Sequence, residues 1–169
     1  LAEGVLAIRE QRALLDAATL AGAMSMEGLR GNLRSWGEKR DQARGQPGQI
    51  RAGKALRAAL ANSRLWQPGE ARFLQDPLSF RCIPQIHGAA EAAYDFAHSI
   101  FETELGAACD NPMIDTATGD FISHGNMETT ACALAMDTLR QAIAKVIEAS
   151  GQRIHKIQWP GFTGLPTSL

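Results

Sequence analysis

The chain has 169 residues, of which 45% are hydrophobic and 21% charged, and its 17 basic and 18 acidic residues give a net charge of −1. These values are typical of a globular protein and exclude a disordered, collagen-like or coiled-coil chain. The balanced charge offers no basic face for phosphates, so we expect a small molecule or a protein as partner, with no nucleic acid and no membrane. No apolar run approaches the roughly 18 residues of a membrane span, which favours a soluble, cytoplasmic protein.

The first predicted element is an amphipathic helix over residues 6–24, because apolar side chains recur there at helical spacing. Its expected buried stripe consists of Leu6, Leu14, Ala17, Ala18, Ala21 and Met24. Ser25 is expected to cap a short second segment. Residues 31–48 collect Gly, Pro and charge without a period, which predicts a surface loop.

Pro47 is placed to open the second helix, since proline fits the first helical turn. The apolar face and the end of this helix are marked by Ile50, Leu56, Ala59, Leu60, Asn62 and Ser63. A second loop is predicted for residues 64–84.

The third helix is predicted over residues 85–108, with the turn-forming Asp110-Asn111-Pro112 behind it. Two short apolar pairs, Met113-Ile114 and Phe121-Ile122, flank a polar turn and predict a small hairpin. This hairpin is the only strand signal in the sequence.

The longest predicted helix covers residues 127–157, a length of roughly 45 Å. Its expected buried stripe consists of Met127, Ala131, Ala135, Leu139, Ile143, Val146, Ile147, Ile154 and Ile157. A compact globule of this size has a radius of gyration of about 15 Å, so the helix should extend beyond it. The fold class is therefore all-α, a bundle of long helices with end loops and at most one small β-hairpin. We expect residues 1–169 to be the central part of a longer chain.

The cysteines and histidines give no metal signal. Cys82, Cys109 and Cys132 are odd in number and far apart, so they form neither a disulfide framework nor a metal knuckle, and we expect buried free thiols. His124 and Glu128 are four residues apart, but no further His or Cys lies near them at ligand spacing.

The most unusual segment is residues 75–85, QDPLSFRCIPQ, in which Arg81 lies between two prolines among apolar neighbours. A guanidinium presents a planar set of donors that suits a carboxylate. Arg81 is therefore either a clamp for an acidic substrate group or half of an internal salt bridge to an Asp or Glu. Composition alone favours the salt bridge.

Two further segments carry polar residues at helix ends. Asn111 is typical of a turn whose side chain satisfies nearby backbone groups. In FISHGNMETT, residues 121–130, backbone N–H groups at the start of a helix can bind an anion, and Asn126 is expected to cap that helix.

These segments together resemble the aromatic amino acid ammonia-lyases, a family that includes histidine, phenylalanine and tyrosine ammonia-lyases and related aminomutases. The motifs occur in order along nearly the whole chain: MSMEGL at 24–29, PGQ at 47–49, QDPLSFRCIPQIHGA at 75–89, DNP at 110–112, SHGNM at 123–127, QRI at 152–154 and TGLP at 163–166. The chain resembles the middle third of a family member.

The resemblance implies a helical homotetramer whose active sites are built by loops from three subunits. It implies a lyase of amino acid metabolism, as in histidine catabolism, acting on an aromatic or imidazole amino acid. The electrophile would be a 4-methylidene-imidazol-5-one (MIO) formed autocatalytically from an Ala-Ser-Gly outside these residues, with no metal. By position, Arg81 would hold the substrate carboxylate, and Asn111 would bond the carboxylate or the electrophile. Gln75 would support the electrophile region, and Met127 would border the electrophile beside the substrate.

The chain itself contains Ala149-Ser150-Gly151 within the longest predicted helix. Helical hydrogen bonding holds the peptide units away from the bent geometry that cyclisation requires. We therefore do not expect this tripeptide to form the electrophile.

The chain departs from the family at Leu78, where the family has a Tyr that takes part in acid–base chemistry. A leucine neither donates nor accepts a proton. The SHGNMET stretch departs at His124, Met127 and Glu128, and His124 or Glu128 is a candidate substitute acid or base. The leading hypothesis is an ammonia-lyase or aminomutase, and the alternatives are a non-catalytic binding or assembly homologue and an unrelated helical scaffold.

Overall fold

The computed structural model describes residues 1–167. Its elements in chain order are α1 (Ala2–Leu29), α2 (Glu38–Arg44), α3 (Pro47–Ala59), α4 (Leu78–Arg81), α5 (Ile83–Leu105), β1 (Met113–Ile114), β2 (Phe121–Ile122), α6 (Thr130–Ile157) and α7 (Pro160–Thr163). Two 3₁₀ turns, Leu33–Trp36 and Arg64–Trp66, lie in the connections. The all-α prediction is confirmed. None of the helices among these residues is both long and apolar enough to cross a bilayer.

The predicted hairpin is confirmed, with β1 antiparallel to β2 and Met113 paired with Ile122. Pro47 is the first residue of α3, as its fixed φ favours. The two predicted loops are wrong in part, because the first contains α2 and the second contains α4. Both helices are shorter than two heptads, so they leave little periodic signal.

The helix ends differ from the prediction. Ser25 does not start a new segment, since its hydroxyl donates to the Ala21 carbonyl at 2.7 Å and α1 continues to Leu29. The third predicted helix is α5, which begins two residues earlier than expected and ends at Leu105. The longest predicted helix is α6, which begins at Thr130 rather than Met127.

The core forms where α1, α3, α5 and α6 pack together. One cluster lies where α1 and α3 meet the 3₁₀ turns and α4, and it buries Met26, Leu33, Trp36, Leu56 and Phe80 completely. A second cluster lies at the other end of the bundle, between the start of α1, the end of α5 and the start of α6. These two clusters fix the two ends of α5.

Two glycines allow α3 and α5 to approach closely. A Cβ added to Gly48 of α3 would overlap the carbonyl of Gly88 in α5, and a Cβ on Gly88 would overlap the backbone of Gln49. All three residues are buried. The absence of side chains at this crossing positions α3 against the first half of α5.

The predicted buried stripe of α1 is wrong. Leu6, Leu14 and Met24 are 58%, 48% and 67% exposed, whereas the residues that α1 buries are Ile8, Leu15, Thr19, Gly22, Ala23, Met26 and Leu29. The predicted buried stripe of the longest helix is wrong at Met127, Ala131, Ile147 and Ile154, which are exposed. Both helices have 28 residues and are apolar on more than one side, so helical periodicity alone does not show which side the chain itself covers.

Candidate functional site

The segment that carries Arg81 is a single turn of helix held by the core. α4 follows Pro77 and ends at Arg81, and Phe80 within it is completely buried. The Arg81 carbonyl accepts a hydrogen bond from Nε1 of the buried Trp36 at 3.2 Å. The main chain of Arg81 is therefore fixed, while its side chain is half-buried.

The Arg81 guanidinium faces a neutral amide. With the oxygen of the Gln75 amide turned toward it, that oxygen accepts hydrogen bonds from Nη1 and, at 3.1 Å, from Nη2. Arg81 Nε is buried without a hydrogen-bond partner. Within residues 1–167 Arg81 makes no ion pair with an acidic side chain, so the terminal nitrogens are not neutralised by the chain itself.

Asp76, five residues before this arginine, was missed in the sequence analysis. Its side chain is 4% exposed, and its Oδ2 accepts a hydrogen bond from the Asn32 backbone N–H at 2.6 Å. Burial raises the pKa of Asp76, whereas the Asn32 N–H and the charge of Arg81 act to lower it. Asp76 is the only acidic residue in residues 75–85, so its proximity in sequence to Arg81 is the signal that could have identified it.

Leu78 lies at the edge of an apolar groove of about 530 Å³ between α4, α5 and α6. The groove residues, here called the α5–α6 groove, are Leu78, Ser79, Cys82, Gln85, Ile86, Ala89, Ala142, Lys145, Glu148, Ala149 and Gln152. Leu78 is 63% exposed. The only tyrosine of the chain, Tyr94, lies further along α5 against Arg12 and His98, so it does not supply a phenol to this groove.

Asn111 lies in the exposed connection between α5 and β1. Its Oδ1 accepts a hydrogen bond from the His124 backbone N–H at 3.2 Å. Its backbone N–H donates to Asp110 Oδ1 at 3.2 Å, whereas its side-chain Nδ2 donates no hydrogen bond within residues 1–167. Because the oxygen is occupied by the chain, Asn111 presents its N–H₂ group to the outside.

The predicted role of Asn126 as a helix cap is wrong. Its side-chain nitrogen donates to the Ala108 carbonyl at 3.3 Å, and its backbone N–H donates to His124 Nδ1 at 3.0 Å. The N-cap position of α6 is Thr129. The Thr130 N–H in the first turn donates a hydrogen bond to Glu128 Oε2 at 2.8 Å. The cap differs because the chain enters α6 three residues later than the periodicity predicted.

His124 and Glu128 differ as proton-transfer groups. His124 Nδ1 is an acceptor, so the neutral ring carries its proton on Nε2, which is buried without a partner. Glu128 is fully exposed, and its hydrogen bonds with Thr130 hold its pKa below the usual range, which makes the carboxylate a weaker base. Met127 is 50% exposed in a second groove, where it lies beside Cys109 and Cys132.

One chain does not bring the predicted site residues together. Gln75 and Arg81 precede α5, whereas Asn111 and Met127 follow it. α5 has 23 residues and is therefore about 34 Å long. Asn111, His124, Met127 and Glu128 form one cluster at the far end of the bundle, and Gln75, Leu78 and Arg81 form another at the near end.

The Ala149-Ser150-Gly151 run is helical, as predicted, because it lies within α6. An added Cβ on Gly151 would have no neighbour within 4 Å. The three cysteines are free but half-buried rather than buried. Among residues 1–167 no group of three His, Cys, Asp or Glu side chains is arranged to hold a metal ion.

The sequence model of one family, described as "Aromatic amino acid lyase", matches residues 1–169. The chain belongs to this family. Histidine ammonia-lyase from Anaeromyxobacter dehalogenans is 41% identical over 171 aligned residues, which cover 99% of this chain and 34% of that protein. The chain thus spans about a third of the length of the relatives that it matches.

Solved structures of family members share this fold. Ergothionase from Treponema denticola, an ergothioneine-degrading enzyme, has a TM-score of 0.92 at 32% identity, covering 97% of this chain and 33% of that one. Histidine ammonia-lyase from Trypanosoma cruzi has a TM-score of 0.84 at 28% identity, covering 97% of this chain and 30% of that one. The predicted family is confirmed.

Proposed function

We propose that this chain is the middle part of an ammonia-lyase that eliminates ammonia from histidine or from another imidazole or aromatic amino acid. The observation that carries the proposal is the Arg81 guanidinium, whose terminal nitrogens face the neutral Gln75 amide rather than an acidic side chain. Terminal nitrogens that were already paired with an acidic side chain would have no donors left for a substrate carboxylate. The match to histidine ammonia-lyase over nearly the whole chain supports the imidazole class.

The donor set fits the MIO electrophile that the family implies. Asn111 holds its oxygen on the His124 N–H and presents its amide nitrogen as a donor, which suits an acceptor oxygen of the imidazolone or of the substrate carboxylate. When present, this electrophile activates the substrate amine as a leaving group. Its precursor tripeptide is proposed to lie outside these residues, since Ser150 is within a helix.

Arg81 binds the substrate carboxylate through Nη1 and Nη2. The Gln75 oxygen stands where a carboxylate oxygen would accept these hydrogen bonds, so substrate binding displaces Gln75 toward the electrophile region that we propose it supports. This exchange favours the substrate because a charge-assisted pair is roughly twice as strong as a hydrogen bond to a neutral amide. Fixing the carboxylate orients the substrate Cβ, and such orientation lowers a reaction barrier by several kcal/mol.

Removal of the Cβ proton requires an acid–base group that Leu78 does not provide. We propose Glu128 first and His124 second as substitutes, both acting in a site that another copy completes. The lowered pKa of Glu128 keeps it ionised at neutral pH, ready to accept a proton but with reduced basicity. A slow enzyme is therefore expected.

We propose a homotetramer, because the two clusters of site residues lie at opposite ends of one chain. Exposed apolar side chains on both 28-residue helices support this assembly, since soluble monomers rarely leave such faces uncovered. They are Leu6, Leu14, Leu20 and Met24 on α1 and Leu134, Ile147 and Ile154 on α6. The three free thiols suit a reducing compartment, and we place the protein in the cytoplasm.

A second candidate is a homologue that binds an amino acid without eliminating ammonia. The observation in its favour is Leu78, an apolar and 63% exposed side chain where the family resemblance places a phenol. In such a homologue Arg81 and Asn111 would still bind the amino acid, and only the proton transfer would be lost.

The test is Arg81→Lys in the full-length protein, with Arg140→Lys as the control on an exposed site of α6. L-Histidine, ergothioneine, L-phenylalanine and L-tyrosine are assayed for turnover, and their binding is measured by calorimetry. We expect Arg81→Lys to weaken the affinity for the accepted amino acid about 10- to 100-fold, because an ammonium does not reproduce the planar fork. Unchanged affinity would show that Arg81 is not the carboxylate clamp.

A further inference from the structure

Two buried atoms, on side chains of opposite charge, lack hydrogen-bond partners within the segment that carries Arg81. Asp76 Oδ1 and Arg81 Nε are each buried, and neither has a hydrogen-bond partner. A buried polar group without a partner destabilises the folded protein, and a charged one does so more strongly. Native structures rarely leave two such groups unmatched in one place.

The other atoms of both side chains are already engaged. Asp76 Oδ2 is held by the Asn32 backbone N–H at 2.6 Å, and an added Cβ on Gly31 would lie only 3.2 Å from the same oxygen. Asn32 is itself fixed, because its side chain donates to the Leu74 carbonyl and caps the Leu33–Trp36 turn. The carboxylate thus has one free acceptor, Oδ1.

The guanidinium has two edges, and only one faces Gln75. Nη1 and Nη2 form the terminal edge that the Gln75 oxygen accepts, while Nε belongs to the side edge. The charge of Arg81 acts on the carboxyl of Asp76, so the two groups are within electrostatic reach. The two side chains form no ion pair in the structure, and the main chain of Arg81 is fixed by Trp36, so a change of side-chain torsion or one bridging water is needed to join Nε–H to Oδ1.

We propose that Asp76 is the positioning residue of Arg81: its Oδ1 accepts from Arg81 Nε–H, directly or through one water, and so directs the terminal edge of the guanidinium at the substrate carboxylate. This inference rests on the proposed function of Arg81 as the clamp. Asp76 itself does not touch the substrate. Its charge also offsets the cost of a half-buried guanidinium when Gln75 is displaced.

Asp76→Asn in the full-length protein tests the proposal, because an asparagine oxygen still accepts from the Asn32 N–H while the charge at Oδ1 is lost. Asp137→Asn, on the exposed side of α6, is the matched control. With L-histidine as substrate, Asp76→Asn should raise KM about 10-fold or more and change kcat less than about 3-fold. Asp137→Asn should have the KM and kcat of the wild type. An unchanged KM, or a loss confined to kcat, would overturn the proposal.

A crystal structure of the full-length wild-type protein gives a second readout that does not depend on activity or on the folding of a variant. We expect Asp76 Oδ1 within about 3 Å of Arg81 Nε, or one water bonded to both. Separate partners for the two atoms would overturn the proposal. If no amino acid binds and Arg81→Lys changes nothing, the proposed function fails. The crystal structure of the full-length protein then decides by itself whether Asp76 positions Arg81.

Discussion

Arg81 lies just before α5 and Asn111 lies in the connection after it, so a helix of about 34 Å separates the proposed clamp from the proposed amide donor. Each residue is held by its own surroundings, Arg81 through Trp36 and Asn111 through His124. A substrate amino acid is far smaller than this separation. If both residues bind one substrate, they must come from different copies of the chain.

Leu78→Tyr should increase the turnover of L-histidine by about 100-fold or more in the full-length protein. A phenol at this position restores the acid–base group that the family resemblance assigns there, and such groups contribute about 10²- to 10⁴-fold in rate. Leu74→Tyr, four residues earlier and 94% exposed, is the control. The measurement is kcat, followed by the ultraviolet absorbance of the product.

Two outcomes would contradict the importance of Leu78. If the unmodified protein is as fast as Leu78→Tyr, another group transfers the proton, and Glu128→Gln is the next variant. If both are inert while the ultraviolet absorbance of the electrophile is present, the altered residues 124–128 are responsible, and the non-catalytic candidate gains support.

Acidification should destabilise the protein through His87. The ring is 1% exposed, its Nδ1 lies 3.0 Å from the Thr19 hydroxyl, and burial together with the charge of Arg153 lowers its pKa from 6.5 to about 4. The unfolded chain therefore takes up a proton below pH 6.5 while the folded chain does not. The contribution of His87 to the free energy of unfolding is complete above pH 6.5. It decreases as the pH drops toward 4, by about 2 kcal/mol at pH 5.

His87→Gln removes this titration, and His155→Gln on the exposed side of α6 is the control. Thermal unfolding of the full-length proteins is measured at pH 7.5 and pH 5. Between these two pH values, His87→Gln should lose less stability than the wild type or His155→Gln. Equal losses in all three proteins would show that His87 does not carry the effect.

Gly48→Ala should destabilise the protein by about 2 kcal/mol, because its Cβ would push against the Gly88 carbonyl where α3 crosses α5. Gly151→Ala is the opposite case, since its Cβ meets nothing within 4 Å and alanine favours a helix interior by about 0.5–1 kcal/mol. The electrophile's absorbance should persist in Gly151→Ala. The measurement is thermal unfolding, and a Gly48→Ala protein as stable as the wild type would contradict the close crossing.

The four long helices and the hairpin followed from periodicity and turn residues, but the short helices α2, α4 and α7 and the faces that the long helices bury did not. Leu6 and Met24 are as apolar as the buried Ile8 and Met26, so hydrophobicity does not distinguish the side covered by the same chain from the opposite side. That distinction depends on tertiary packing such as the Gly48–Gly88 crossing, which involves residues far apart in sequence.

The candidate residues were found from motifs, whereas their local partners were not. QDPLSFR pointed to Arg81, yet the choice between Gln75 and Asp76 as its neighbour depends on the turn at Pro77 and on where Asn32 reaches the same segment. Asn126 was a suitable cap by residue type, but it lies four residues before α6. Because α6 starts at Thr130, its N-cap position is Thr129, and it is Glu128 whose carboxylate reaches the Thr130 N–H.

The central claim is that Arg81 and Asn111 act in one site and come from different copies. The parental protein is the wild type or Leu78→Tyr, whichever has the higher turnover. Full-length chains carrying Arg81→Ala or Asn111→Ala, each with a different tag, are co-expressed, and mixed oligomers are purified through both tags. Each variant alone should be nearly inactive. Random mixing should restore about a quarter of the parental activity, because some sites then receive both native residues. Mixed oligomers that are no more active than the single variants would contradict the claim.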